Sequence, residues 1–244
     1  MLKAYIIEDY NKFQMDWYLS TYKNYVQVID VTQRDNLFDN IFYLHPFLCE
    51  FVAMNYVWKN NIKSDYIGFF HYRRLLNIDN ILQNIKENPN ITYIKGNIYS
   101  DFQHVIFPML EDSSIYNDFK EYLIKYDPFM YEVYNETYEN ANNIINGRSI
   151  FICKWDNFCN MCQFMFGFIQ NFISTYRTID YILFINKEIG LQHGQSYGND
   201  NYVSWNYTNK NVYRFFAYIL EYLCGLYIEY DIKKNNLISI NHLS

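Results

Sequence analysis

The chain has 244 residues, half of them hydrophobic and 21% aromatic, with a formal net charge of -6. A chain this apolar is not disordered, and its length buries a sizeable core in one domain. The acidic balance excludes a general nucleic-acid binder, which carries a basic face, and no run of about 18 apolar residues is present to span a membrane.

Tyr and Phe number 27 and 20. With Asn, Ile and Lys they mark the bias of AT-rich coding, so a single Asn or Tyr carries little functional weight. The five cysteines (49, 153, 159, 162 and 224) are an odd number with no disulfide framework. Most sit in apolar periodic segments, which predicts reduced, buried thiols in a cytosolic protein. The opening Met1 to Asp9 turns acidic too early for a signal peptide. The expectation is a soluble cytoplasmic chain, with room for peripheral contact at the inner face of the membrane.

Tyr5 to Glu8 reads as a short strand, Lys12 to Tyr22 as a helix and Tyr25 to Val31 as an alternating strand, a β-α-β beginning. Thr32 to Asn36 is a polar loop, followed by Leu37 to Tyr43. Pro46 suits a first helical turn, and apolar residues at helical spacing predict a helix over 46–60. Residues 65–70 are the next strand. Leu75 to Glu87 reads as a helix stopped before Pro89; Ile91 to Ile94 and Val105 to Phe107 are strand-like. Residues 111–145 are polar and helical by default. Ile150 to Cys153 is a short strand, and Trp155 to Tyr176 a long helix with Trp155, Phe158, Cys162, Met165, Phe166, Ile169, Phe172 and Ile173 on one face. Gly190 to Tyr202 is a Gly-rich polar loop, and Asn211 to Tyr230 closes as an aromatic helix. Strands alternating with helices predict an α/β fold, mostly parallel at first.

The chemistry concentrates at the apolar run Tyr66 to Phe70, whose carboxyl end delivers His71, Tyr72, Arg73 and Arg74. Ligands of open α/β sheets bind beyond the carboxyl ends of strands, and two guanidiniums with an imidazole suit a phosphate or diphosphate. The plainer reading is a solvated strand end. Cys159 and Cys162 have the C-x-x-C spacing but lie inside a helix without a second ligand pair, against zinc or redox chemistry. There is no Asp-x-Asp, no Gly-rich phosphate loop and no Gly-x-Ser-x-Gly elbow. Arg214 and Glu221 are seven apart and share a helix face; they are either an internal ion-pair set or part of a site. His193 in the Gly-rich loop is either a ligand contact or a solvated residue, and Glu50 is a candidate inward-facing carboxylate.

The stretch from Asn36 to Asn77 carries Pro46-Phe-Leu-Cys-Glu50, Tyr56-Val-Trp58-Lys59-Asn60 and Ser64-Asp-Tyr-Ile-Gly68-Phe-Phe-His71-Tyr-Arg-Arg74. It resembles a family of bacterial glycosyltransferases encoded in capsular and exopolysaccharide clusters and long catalogued as a domain of unknown function. That family shows a Cys-Glu-Leu-Thr helix, then Trp-Lys-Asn, then Asp-Tyr-x-Gly-x-x-His-Tyr-Arg-Arg. Ile150-Phe-Ile-Cys-Lys154 and Arg214-Phe-Phe-Ala-Tyr-Ile-Leu-Glu221 resemble two later blocks. Ser149 replaces the usual Asn, Phe51-Val52 replaces Leu-Thr, Ala217 replaces Gly, and the first strand lacks a following His-Lys.

The resemblance implies one GT-A-like, nucleotide-sugar-binding domain over 1–244. Its parts would be an α/β half to about residue 110 and a helix-rich, acceptor-side half over 111–244. It implies transfer of a sugar, a hexosyl group by expectation, from a nucleotide-sugar donor to a growing surface glycan, with a lipid-linked acceptor as one form of it. Binding of donor would fall to His71, Tyr72, Arg73, Arg74 and Arg214, with His193 and Ser149 as further contacts. An inverting reaction needs a general base, for which Asp65, Glu221 and Glu50 are candidates. A divalent cation, Mn or Mg, stays open as cofactor without a visible ligand set. The alternative is a non-catalytic nucleotide- or glycan-binding partner in polysaccharide assembly.

Overall fold

A computed structural model of the protein describes residues 1–8, 15–31, 48–71, 75–96, 114–139, 150–175 and 215–241. The opening unit is β1 (Leu2–Glu8), α1 (Asp16–Thr21) and β2 (Val26–Asp30). Next come α2 (Phe51–Lys59), β3 (Tyr66–His71), α3 (Ile78–Glu87) and β4 (Ile91–Lys95). Two helices follow, α4 (Ser114–Tyr126) and α5 (Pro128–Glu139), then β5 (Phe151–Lys154) leading directly into α6 (Trp155–Thr175). The described chain ends with α7 (Phe215–Asn235) and β6 (Ile238–Asn241).

The strands form one six-stranded sheet in the order β2-β1-β3-β5-β4-β6. β1 pairs in parallel with β2 and β3, and β4 in parallel with β6, while β5 is antiparallel to both β3 and β4. The expected mostly parallel α/β fold is therefore present. β6 was not foreseen, and the antiparallel β5 joins the early strands to the later ones.

Because side chains alternate along a strand, β1 to β5 each feed two cores. Tyr5, Ile7, Ile67, Phe69, Tyr93 and Phe151 point to the face covered by α2 and α4 to α7. Ala4, Ile6, Tyr66, Phe70, Ile94 and Ile152 point to the other, where Tyr18 of α1 and Ile78 and Ile81 of α3 cover them. Phe69 centres the larger core: its ring lies 5.5 Å from Tyr5, 5.4 Å from Phe158 and 5.9 Å from Phe151. β3 thus sits mid-sheet with both faces buried, which is why it reads as an unbroken apolar run.

Several boundaries shift. The described helix within the expected 12–22 is Asp16–Thr21, the described part of the 46–60 helix is Phe51–Lys59, and α3 starts at Ile78 behind an Asn77 cap. The Asn77 side chain accepts from the Asn80 amide at 3.1 Å, which explains the later start. α6 exceeds the single stripe read from its sequence, since Met161, Phe164 and Phe168 are also buried. It lies among α2, α4 and α7 and is covered on most sides. The expected strand at 105–107 and the Gly190 to Tyr202 loop lie outside the described residues.

Candidate functional site

Chain direction settles which residues share an edge of the sheet. β1, β2 and β3 run together, with Glu8 opposite Asp30 and Ile7 opposite His71, so all three end at one edge. His71 closes β3 there. Tyr72, Arg73 and Arg74 follow it in the chain and lie outside the described residues. β5 runs the other way and enters at the same edge, with Phe151 opposite Phe69 and the Ile150 carbonyl accepting from the Gly96 amide at 3.3 Å. Ser149, one residue earlier, lies outside the described residues.

The helices on the larger core bring their own ends to that edge. α2 descends to the start of β3, so its first turn, with Glu50 at the cap position, belongs to the carboxyl edge. α7 is oriented by its contacts. The Tyr93 hydroxyl donates to Asp231 at 2.5 Å and the Lys95 ammonium to Glu229 at 2.6 Å, so α7 climbs β4 as its numbers fall. Glu221 then lies about 12 Å further up than Glu229, beyond the strand end, at 1.5 Å per residue. α6 runs antiparallel to α7: Asn157 meets Asp231 at 2.7 Å, and the rings of Phe172 and Phe216 are 6.1 Å apart. The end of α6 and the start of α7 therefore meet above the same edge. Residues 176–214, which carry His193 and Arg214, lie outside the described residues.

Two of the three candidate bases thus belong to the His71 end of the sheet. Glu50 and Glu221 are both half-buried. Glu221 stands close enough to Cys224 to raise its thiol pKa further, beyond what complete burial does. Asp65 belongs to the opposite edge. It precedes β3, is largely exposed, and pairs with the Met1 amine, which holds its carboxyl below the usual range. Six residues of strand separate it from His71, about 20 Å at 3.3 Å per residue.

Sequence reading missed a polar seam between β4 and α7. The Lys95–Glu229 pair is 12% and 18% exposed. Just below it, buried Asp231 accepts from Tyr93, from Asn157 at 2.7 Å and from Asn235 at 2.6 Å. The signal was available: Glu229 and Asp231 flank Tyr230 directly after the apolar stretch Tyr222 to Ile228, and buried acids need partners. This seam anchors α7 to β4.

Among the described residues no three His, Cys, Asp or Glu side chains gather as a metal centre requires. Cys159 and Cys162 lie on α6 as free thiols, and burial raises both pKa values. Cys49, Cys153 and Cys224 are buried and form no disulfide. No helix among the described residues is long and apolar enough to cross a membrane.

The family described as Domain of unknown function (DUF4422) matches residues 19–181. Among solved structures, the apo structure of the bifunctional glycosyltransferase WbbM is similar over 98% of this chain, with a TM-score of 0.58 and 16% sequence identity. The match covers 44% of that protein, so this chain spans under half of its length. No curated protein matches. The six-stranded, mostly parallel sheet with its flanking helices is thus a glycosyltransferase-like fold.

Proposed function

This chain belongs to the family described as Domain of unknown function (DUF4422), and from that premise we propose that it is a glycosyltransferase. It moves a sugar from a nucleotide-sugar donor to a growing surface glycan. The observation that carries this reading is the convergence at one sheet edge. In a glycosyltransferase-like fold, the central strand ends at His71, followed by two arginines, where the first turn of α2 and the upper part of α7 also arrive.

In the reaction, an acceptor hydroxyl oxygen bonds to the anomeric carbon. The bond from that carbon to the donor phosphate breaks, and the nucleoside diphosphate leaves with the electron pair. His71, Arg73 and Arg74, with Arg214, supply positive charge and hydrogen bonds to the diphosphate as its charge grows, which favours the transition state over bound donor. Glu221 or Glu50 takes the hydroxyl proton. Asp65, at the far edge, keeps a structural part. The chain has no Asp-x-Asp, so these cations carry the charge role that a bound divalent ion fills elsewhere.

A panel of nucleotide sugars, screened by thermal shift with and without manganese, tests the donor class. An Arg73→Ala/Arg74→Ala variant should melt as the parent does and lose at least about 10²–10³ in transfer rate, the scale for even one of the two donors. A folded double variant that transfers at the parent rate removes the proposed mechanism. Transfer should persist in excess EDTA; loss of activity there would hand the charge role to a metal.

A further inference from the structure

Away from the sheet edge, α2 and α4 form the walls and α6 the floor of an open groove of about 630 Å³. Its aromatic wall is built on Trp58, whose ring stacks on Phe166 at 5.8 Å and 9°. The Lys59 ammonium sits 4.0 Å from the Trp58 ring centroid. Across the groove stand Tyr122 and Tyr126, the latter 41% exposed. Tyr122 is fixed in place: its hydroxyl donates to the Phe164 carbonyl at 2.8 Å, and it lies 3.0 Å from where a Cβ on Gly167 would be. Between the aromatic groups lie four amides, Asn55, Gln163, Gln170 and Asn171.

Charge is scarce here. Among the described residues the groove is lined by no Asp or Glu, and Lys59 is the one cation they bring to it. The exposed residues of α6 after Asp156 are Asn160, Gln163, Gln170, Asn171, Ser174 and Thr175, none of them charged. Coding bias does not explain this, because the same chain places exposed lysines on α3, α4 and α7 at Lys86, Lys125 and Lys233. A second depression of about 210 Å³ adjoins at Tyr122 and Asn171 and reaches Thr175, the last residue of α6; its α4 wall carries Asp118, Glu121 and Lys125, the last two paired with each other. The chain of depressions therefore leads from Lys59 toward the edge that bears His71.

We propose that this groove is a binding track for a neutral oligosaccharide. On the transferase reading, on which this role rests, that ligand is the acceptor glycan held at a distance from its reacting end. Sugar rings offer an apolar C–H face to an aromatic ring and hydroxyls that both donate and accept, as amides do. A lipid tail or apolar peptide face would strip water from those amides without replacing its hydrogen bonds. Among the described residues a polyanion would find Lys59 in the groove and, beyond it, only Lys125 beside two carboxylates, Asp118 and Glu121. From Gln163 to Thr175 the floor extends about 18 Å, the reach of an oligosaccharide rather than one sugar. Trp58 and Lys59, which carry part of the family resemblance and have no part in donor binding, gain a role.

The test is direct binding of a panel of linear, neutral hexose and N-acetylhexosamine oligosaccharides, from di- to hexasaccharide. Affinity should rise with length. It should fall about tenfold or more in Gln163→Ala/Gln170→Ala, the loss of one or two hydrogen bonds. Both glutamines are exposed, so that variant folds even where Trp58→Ala, which removes a packed ring, does not. Thermal shifts caused by nucleotide sugars should be the same in parent and variant. Panel binding that the double substitution leaves untouched, or no binding by any panel member, overturns the track. Nucleotide-sugar shifts without oligosaccharide binding leave the transferase standing and the track refuted; oligosaccharide binding without any nucleotide-sugar shift does the reverse.

Discussion

At Gly68 the sheet depends on a missing side chain. Gly68 pairs with Ile152 across the β3–β5 junction, and a Cβ there would lie 2.6 Å from Ile152 Cγ1 and 3.3 Å from the Phe151 carbonyl oxygen. Ile152 is itself fully buried, so its branch cannot swing into solvent. Gly68→Ala should therefore destabilise by about 1–3 kcal/mol in urea titration, as over-packing does. Asp231 gives the opposite case, a residue whose removal leaves others stranded. Asp231→Ala orphans the buried Tyr93 hydroxyl and the Asn157 amide, at about 1–3 kcal/mol for each group left unpaired. Tyr93→Phe deletes one donor and leaves Asp231 with two, so it should cost only about 1 kcal/mol. The double variant should cost less than the sum of the two, because the hydroxyl that Asp231→Ala strands is no longer present.

Among the elements, α5 is the most explicitly signalled and was still read only as helical by default. Asp127 caps it, accepting the Phe129 amide at 2.9 Å, with Pro128 in the first turn. The other oxygen of Asp127 accepts from the Tyr230 hydroxyl at 2.7 Å and from Lys234, tying the α4–α5 corner to the end of α7. Those bonds hold the Asp127 carboxyl below its usual range, the Lys234 bond contributing most and the Tyr230 bond next. A lowered folded-state pKa stabilises above the unfolded value of about 4 and is lost as pH falls through the folded one. Melting temperature should accordingly drop from about pH 4 downward, and Lys234→Met should flatten that drop; an identical acid profile in the variant would exclude Asp127 as its source. The strands β1 to β5 were legible because each is an apolar run beside turn residues. β6 was not, because Ile238-Ser-Ile-Asn is short and half exposed, and only its pairing with β4 makes it a strand. The narrow stripe read from α6 failed for a related reason. The sequence reports one helical face, whereas the number of neighbouring helices is a property of the assembled fold.

For the whole molecule, the local motif and the global arrangement were legible to different degrees. His71 to Arg74 announced themselves as cations behind a buried strand, and Asp65 as the residue at its far end. That Glu50 and Glu221 rise to the His71 edge follows only from the directions of α2 and α7, which are tertiary facts. The same arrangement bears on the division near residue 110. β5 inserts between β3 and β4, so the central sheet of the early part is completed by a strand from the later part. Without it, β3 and β4 lose their shared partner, and Phe69 loses its contacts with Phe151 and Phe158. A fragment of residues 1–110 should then show no cooperative urea transition and should expose its apolar sheet edge to a hydrophobic dye. Adding the 111–244 fragment should restore a single transition, since the pieces share one sheet and both of its cores. A cooperative transition from the 1–110 fragment alone would show that β1 to β4 close a sheet without β5, and would make the two halves independent folding units.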